Sequence, residues 1–279
     1  MDVQGVVLDW WRTPGAARDL PWRHTRDPWA VLVSEVMLQQ TQVARVVPAY
    51  HRFLGRFPTA AACAAAPVGE VIDAWHGLGY NRRAVNLHRA ATACGGQLPT
   101  TLAGLLALPG IGAYTARAVM AFAREADVAV LDVNTTRALS RLAGHRVSQA
   151  EADALVPPGS GWTWNSALLD FGATVCTAVA PRCDACPART QCGWRRAAGH
   201  AEPDPGARTA PRQSTFEGSD RQGRGRLVAA LRHGPVAVAA ADATAGWPGD
   251  HARAAAAVAG LVADGLAVLS ADGTLLTLP

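Results

Sequence analysis

Apolar residues recur at helical spacing through the first 160 positions of the chain. Trp29, Leu32, Val33, Val36 and Met37 fall three or four apart, so one helical face collects them. Pro21, Pro28, Pro48, Pro58, Pro67, Pro99 and Pro109 punctuate the pattern, which predicts a succession of short helices. No alternating strand pattern stands out before about residue 230. Residues 197–222 are rich in Gly, Pro and Arg and read as a linker. Residues 223–279 read as a small unit of their own. A helix over Arg224–Leu231, a break at Gly234-Pro235 and a second helix over His251–Ala263 come first. Two short strands then flank Ala271-Asp272-Gly273, where Asp-Gly suits a hairpin turn. Helices followed by such a hairpin predict a winged-helix-like α+β module.

Composition narrows the class. The chain has 279 residues, of which 49% are hydrophobic and 17% charged, too apolar for a disordered tail. Much of the apolar share is Ala, which favours helix. The longest apolar run, Ala254–Ala263, stops at Asp264 and is too short to cross a bilayer. No basic stretch followed by an apolar one opens the chain, so no signal peptide is expected. All 26 basic residues are Arg and none is Lys, so no side chain can form a Lys Schiff base. A genome biased toward Arg and Ala codons accounts for that usage. The net charge is +4. It divides as +3 over residues 1–192, +4 over 193–232 and −3 over 233–279. Arg forks phosphate well, so a polyanionic partner fits; an ordinary solvated surface fits as well.

Six cysteines are present. Cys63 and Cys94 stand alone among Ala residues and read as small buried hydrophobes. Cys176, Cys183, Cys186 and Cys192 cluster with C-x6-C-x2-C-x5-C spacing. Four thiolates in one short loop suit a metal or an iron–sulfur cube, and two disulfides are the alternative. Zinc ribbons show two separated C-x2-C pairs, so the unequal spacing leans toward iron–sulfur. Pro181, Arg182, Arg189, Arg195 and Arg196 around it could meet a phosphate backbone.

Leu108-Pro109-Gly110-Ile111-Gly112-Ala113 lies between two helical stretches. Gly110 and Gly112 allow a tight turn, and the amides that open the next helix can then face an anion. A DNA phosphate suits that place; an ordinary helix–helix turn is the alternative. A looser hairpin, Gly77-Leu78-Gly79-Tyr80, precedes Asn81-Arg82-Arg83. Two carboxylates lie in apolar company. Glu35, inside Val31–Leu38, is expected to be partly desolvated, which would raise its pKa and suit a general acid. A solvent-facing Glu on an amphipathic helix is the plainer alternative. Gln39-Gln40-Thr41-Gln42 directly follows and suits a site edge. Asp132 ends the apolar run Val128–Leu131 and would serve either as a helix N-cap or as a site carboxylate.

Taken in order, these pieces resemble the MutY-type adenine DNA glycosylases of the helix–hairpin–helix superfamily that includes endonuclease III. The block Glu35-Val36-Met37-Leu38-Gln39-Gln40-Thr41, the Gly77–Tyr80 turn, the Leu-Pro-Gly-Ile-Gly hairpin, Leu131-Asp132-x-Asn134 and the four Cys carry the resemblance over about residues 8–196. It implies a mainly α fold: a helix–hairpin–helix glycosylase with an iron–sulfur cluster loop, plus the small C-terminal module. The implied segments are residues 1–20, an N-terminal helix returning to the cluster domain; 21–131, a six-helix domain with the hairpin; 132–196, the cluster domain; 197–222, the linker; and 223–279, the module. The resemblance also implies a [4Fe–4S] cluster on Cys176, Cys183, Cys186 and Cys192. The partner would be double-stranded DNA holding a purine mispair, met by a monomer in the bacterial cytoplasm, nucleoid-associated when bound to DNA, with no membrane involved.

By the same resemblance, adenine opposite 8-oxoguanine or guanine would be flipped into a pocket. Glu35 would protonate adenine N7, and Asp132 would stabilise the sugar cation with Asn134 supporting it. Tyr114 would lie beside them, where endonuclease III relatives place a Schiff-base Lys, which implies a monofunctional enzyme that leaves an abasic site. Gln40 and Tyr80 match residues inserted into the duplex, Trp22 and Arg23 match residues lining the adenine pocket, and Leu38, Gly110 and Gly112 complete the DNA-contacting set. The chain departs from the family at Asn81, where a second aromatic is common, and at Asn165-Ser166, where Gln or Glu reads adenine. Residues 223–279 are too short for the nudix-like domain that many members carry there and look winged-helix-like instead. A thymine or uracil mismatch glycosylase would share Tyr, Asp and the cysteines but not the acid at position 35. A non-catalytic iron–sulfur DNA-binding protein would need neither carboxylate.

Overall fold

The computed structural model describes residues 3–196, 203–207 and 215–279. Fifteen α-helices are described. They are α1 (Val3–Trp11), α2 (Pro28–Leu38), α3 (Val43–Arg56), α4 (Ala60–Ala65), α5 (Val68–Ala74), α6 (Arg82–Ala93), α7 (Leu102–Leu106) and α8 (Ala113–Ala123), then α9 (Val133–Ala143), α10 (Gln149–Ala154), α11 (Gly161–Thr174), α12 (Gly193–Arg196), α13 (Asp220–Leu231), α14 (Ala241–Ala245) and α15 (His251–Ala263). Strands β1 (Val236–Ala237), β2 (Val268–Leu269) and β3 (Leu275–Thr277) complete the fold, which is mainly α as expected. The chain forms two compact units. One holds Met1–Val31, Thr100–Leu102 and Gly112–Pro211; the other holds Leu32–Pro99, Ala103–Ile111 and Arg212–Pro279.

In the first unit, α1 packs on α11 far along the chain. Val7 is fully buried among Leu139, Trp164, Leu168 and Phe171, and the Trp10 ring meets Phe171 edge-on at 5.4 Å. Helix starts follow local chemistry. The Asp132 side chain accepts from the amides of Asn134 and Thr135 at the head of α9, and Ser148 with Glu151 forms a capping box on α10. Where α9 meets α11, Gly172 permits the approach: a Cβ there would sit 2.8 Å from the Asn134 carbonyl oxygen.

Helix α2 begins in the first unit and runs into the second: Asp27 caps it from outside through the amides of Trp29 and Ala30, with Pro28 at the first helical position. The apolar positions read from the sequence, Trp29 through Met37, are all buried. Pro48 does not break the chain as expected. It lies inside α3, which gives up one backbone hydrogen bond but buries Val46, Ala49, Tyr50 and Phe53 along one face. Phe53 stacks edge-on against the buried Trp75 at 5.7 Å.

The C-terminal residues of that unit run α13, β1, α14, α15, β2, β3. The three short antiparallel strands lie in the order β1-β3-β2. That is a winged-helix-like arrangement, with Leu276 of the central strand fully buried. The β2–β3 turn is built as the Asp-Gly pair suggests, with Gly273 at φ +71° and Asp272 accepting from Ser270 and Thr274. Two details differ from the sequence reading. The helix expected from Arg224 starts at Asp220, because Ser219 accepts from the Gln222 amide and caps it. A first strand at Val236–Ala237 and the short α14 fill the stretch after Gly234-Pro235. Of the linker expected at 197–222, residues 197–202 and 208–214 lie outside the described residues. Asp204, between them, is paired with the buried Arg141 at 2.7 Å.

Candidate active site

Glu35 lies near the end of α2, and its surroundings follow from the helix being apolar on every side. Its neighbours Ser34, Val36 and Met37 are buried, and Glu35 itself is only 5% exposed. The carboxyl is therefore withdrawn from water, as the apolar run predicts, rather than on a solvent-facing stripe. Leu38 follows half-buried at the helix end, and Gln40 is exposed just beyond it. Gln40 has φ +56° and Tyr80 has φ +47°, a left-handed backbone that side-chain-bearing residues seldom adopt. Both positions matched residues inserted into DNA. Such strain persists only where the surroundings impose it.

One side chain contributes to both segments here. Arg83, from the first turn of α6, is buried and spends its guanidinium on the ends of both segments. Nη1 donates to the carbonyls of Val36 (2.7 Å), Met37 (2.9 Å) and Gln39 (2.7 Å). Nη2 donates to Thr41 Oγ1 (3.0 Å) and to the carbonyls of Leu78 (3.3 Å) and Gly79 (3.0 Å). Burial pushes the Arg83 guanidinium down to about 10, so it remains charged at neutral pH. It closes the carbonyl end of the Glu35 helix and ties it to the Tyr80 turn. The sequence reading placed Arg83 only as a neighbour of the turn.

Asp132 lies in the first unit and is held differently. Its Oδ1 accepts from the amides of Asn134 (2.8 Å) and Thr135 (2.7 Å), and Oδ2 accepts from Asn134 Nδ2 (3.0 Å). The N-cap reading of Asp132 holds, and the cap fixes the carboxylate while leaving it partly exposed. Support continues behind it. Asn134 Oδ1 accepts from Arg137 Nη2 (3.0 Å), and Arg137 donates onward to the carbonyls of Gly172 (2.7 Å) and Cys176 (2.9 Å). Asn165 is fully buried, and its amide is used by the main chain. It accepts from the Val130 amide and donates to the carbonyls of Val128 and Gly161. It therefore fixes the segment leading to Asp132 and has no edge left for a base. Tyr114 lies half-buried in the first turn of α8.

Trp22 and Arg23 sit on a short 3-10 turn over Pro21–Arg23, and Trp22 is buried. Arg23 pairs with the fully buried Asp170, which also accepts from Arg18 and from Trp11 Nε1 (2.9 Å). Burial works to raise the Asp170 carboxyl, but the Arg23 and Arg18 guanidinium groups outweigh it and hold it below the usual carboxylate range. Arg23 is thus anchored to the scaffold through a carboxylate that the sequence gave no reason to single out.

The four clustered cysteines line one recess with Arg141, Phe171, Val175 and Trp194. None of the six cysteines is in a disulfide, which removes that alternative. Arg141 Nη1 donates to Cys176 Sγ at 3.6 Å, and Cys192 Sγ donates to the Arg141 carbonyl at 3.2 Å. No group of three His, Cys, Asp or Glu among the described residues is gathered tightly enough for a single metal ion. A one-ion thiolate site needs Zn–S bonds of about 2.3 Å to every sulfur. A cube instead takes one thiolate on each of its irons, so its sulfurs stand farther apart, and four thiols around one recess beside a guanidinium suit that donor set. Of the flanking basic residues, Arg189 and Arg195 lie 3.9 and 3.4 Å from Asp184. The isolated Cys63 is buried, and burial pushes its thiol up to about 12, as befits a packing residue.

At the hairpin, Gly110 has φ +74°, and a Cβ there would lie 2.7 Å from Asn86 Cβ. Gly112 is extended and exposed, and it is the N-cap of α8 with no side chain to occupy the helix head. The amides that open this eleven-residue helix lie behind a residue that leaves room for an anion.

Comparison with known proteins bears on these arrangements. Residues 33–155 match the HhH-GPD superfamily of base excision DNA repair proteins. The chain is 43% identical to the adenine DNA glycosylase of Mycolicibacterium smegmatis, over 96% of this chain and 93% of that protein. It is 39% identical to that of Mycobacterium tuberculosis, over 96% and 90%. Both matches therefore run through most of the C-terminal module. Among solved structures, a thermostable thymine-DNA glycosylase superposes with TM-score 0.64 at 30% identity, over 69% of this chain and 94% of that one. The chain belongs to the adenine DNA glycosylases of the HhH-GPD superfamily.

Proposed function

We propose that this protein hydrolyses the N-glycosidic bond of adenine mispaired with 8-oxoguanine or guanine in duplex DNA. It works as a monomer in the bacterial cytoplasm and leaves an abasic site. The observation that carries the choice of adenine is Glu35, a carboxyl withdrawn from water inside an apolar helix. Adenine has N7 to protonate, whereas a pyrimidine has none, so an acid at this position serves purine departure. Glu35 gives its proton to N7. The C1′–N9 bond then breaks with its electron pair going to the base. Asp132 faces the positive charge left on the sugar, with its carboxylate already oriented by three donors. Water adds to C1′ and returns a proton to Glu35. Tyr114 and the absence of Lys leave no side-chain amine for a Schiff base, so strand cleavage is not expected to accompany base release.

Gln40 and Tyr80 enter the duplex, where their left-handed backbones hold the side chains out from the loop ends. Gly110, Gly112 and the head of α8 take a phosphate of the same DNA. Trp22, Arg23 and Leu38 border the adenine. Cys176, Cys183, Cys186 and Cys192 would hold a [4Fe–4S] cluster, which when bound would order their loop and the arginines around it.

The test is single-turnover base release from duplexes bearing A opposite 8-oxoguanine, A opposite G and T opposite G, with alkali to reveal abasic sites. Adenine release without spontaneous nicking is expected. Glu35→Gln should slow it by about 10²–10⁴-fold. Release of thymine instead would move the chain to the mismatch-pyrimidine reading, and release of nothing with the cluster intact would make it a DNA-binding protein.

A further inference from the structure

The C-terminal module does not present the face by which a winged helix reads DNA. The exposed side of α15 carries Ala252, Ala255, Ala256 and Ala259. Its one arginine, Arg253, is engaged by Asp220 at 2.7 Å and lies over the Trp247 ring. The module's other arginines lie on or beside α13, and two of them reach α5 and the turn that follows it. Arg232 donates to Asp73 at 2.7 Å, and Arg221 Nη1 donates to the Tyr80 hydroxyl at 3.0 Å. From α6, Arg82 pairs with Asp264 of the module at 3.4 Å. These ion pairs tie the module to α5 and α6 on either side of the turn that carries Tyr80. Tyr80 is 37% exposed, and beside Arg221 the Phe216 ring is 57% exposed at 5.8 Å from the guanidinium. Two exposed aromatic rings with a cation between them form a surface suited to stacking bases.

We propose that Arg221, with Phe216, is a specificity element for the base opposite adenine, and that it acts by orienting and polarising the Tyr80 hydroxyl. This rests on the reading of Tyr80 as a duplex-inserting residue. When Arg221 donates to the phenolic oxygen, the phenol's own proton must point elsewhere, and a hydroxyl that accepts from a cation is a stronger donor. A phenol polarised in this way suits the carbonyl oxygen that 8-oxoguanine carries at C8 and that guanine lacks. The module would thus supply lesion preference through a residue of the glycosylase body, without reading DNA by its own third helix.

The experiment compares single-turnover adenine release opposite 8-oxoguanine and opposite guanine for the full-length cluster-loaded protein, Arg221→Ala, Tyr80→Phe, the double variant and Arg221→Lys, with melting temperatures alongside. Arg221→Ala and Tyr80→Phe should each lower the ratio of the two rates by about fivefold to tenfold, the size of one neutral hydrogen bond between the phenol and the base. The double variant should lose no more than either alone, and Arg221→Lys should regain part of the ratio. A structural role alone would slow both duplexes equally and leave the ratio unmoved. An unchanged ratio in Arg221→Ala, or additive losses in the double variant, overturns the proposal while wild-type activity stands. Wild-type protein that releases no adenine overturns the parent reading as well.

Discussion

Asp132 and the pair Gln40–Tyr80 are both held by hydrogen bonds, but in opposite styles. Asp132 is fixed by its own helix start, with donors two and three residues away, and it is backed by Asn134, Arg137 and the Cys176 carbonyl. Gln40 and Tyr80 have strained backbones, and one buried guanidinium more than forty residues from the Glu35 helix closes the segments that carry them. The first style suits a group that must not move while charge develops beside it. The second suits residues that must yield to a duplex and return, since a strained backbone braced by side chains from other segments can relax when those contacts shift.

Breaking the Asp132 side of the comparison should have the largest effect. Asp132→Asn keeps the cap geometry but removes the charge, and adenine release should fall by roughly 10³-fold with duplex affinity preserved. Single-turnover rates and a binding titration check both parts. Next is Arg83→Ala, which strands buried carbonyls at the ends of two segments. It should cost about 3 kcal/mol, or a melting temperature lower by roughly 6–10 °C, and should weaken binding to abasic-site DNA. A variant that melts like wild type would show that the left-handed turns hold themselves. Asn134→Ala should be milder, slowing release about tenfold for one lost hydrogen bond while binding is unchanged. Smallest is Gln40→Gly, which relieves a positive φ. It should raise the melting temperature by roughly 1–3 °C while weakening duplex affinity. A lower melting temperature would mean that the Gln40 side chain contributes more to the free protein than its backbone costs.

What the sequence made legible was whatever is encoded locally. The buried face of α2, the cap at Asp132, the Asp-Gly turn and the cysteine spacing all declare themselves within a few residues. Arg83, Asn165 and Asp170 do not. Each acts on main-chain or charged atoms that only tertiary packing brings near, and in a chain whose every basic residue is Arg, a buried guanidinium looks like any surface one. Pro48 misled for the same reason, because the burial of one face of α3 offsets a missing amide and is a property of the packed unit. Asn165 was read as a departure at a base-reading position, whereas its amide is wholly taken up by Val128, Val130 and Gly161.

The buried Asp170 also sets how the molecule meets acid. Its carboxyl lies below the ordinary range when folded, so the unfolded chain takes up a proton there first as pH drops. The stabilisation is complete above the ordinary aspartate value of about 3.9, and it drains away as pH falls through the lower folded value. Trp11, Arg18 and Arg23 all converge on that one carboxylate. Titration in acid should therefore loosen the side chains gathered there as pH falls through that lower value, and the fluorescence of Trp11, whose Nε1 donates to Asp170, should report it.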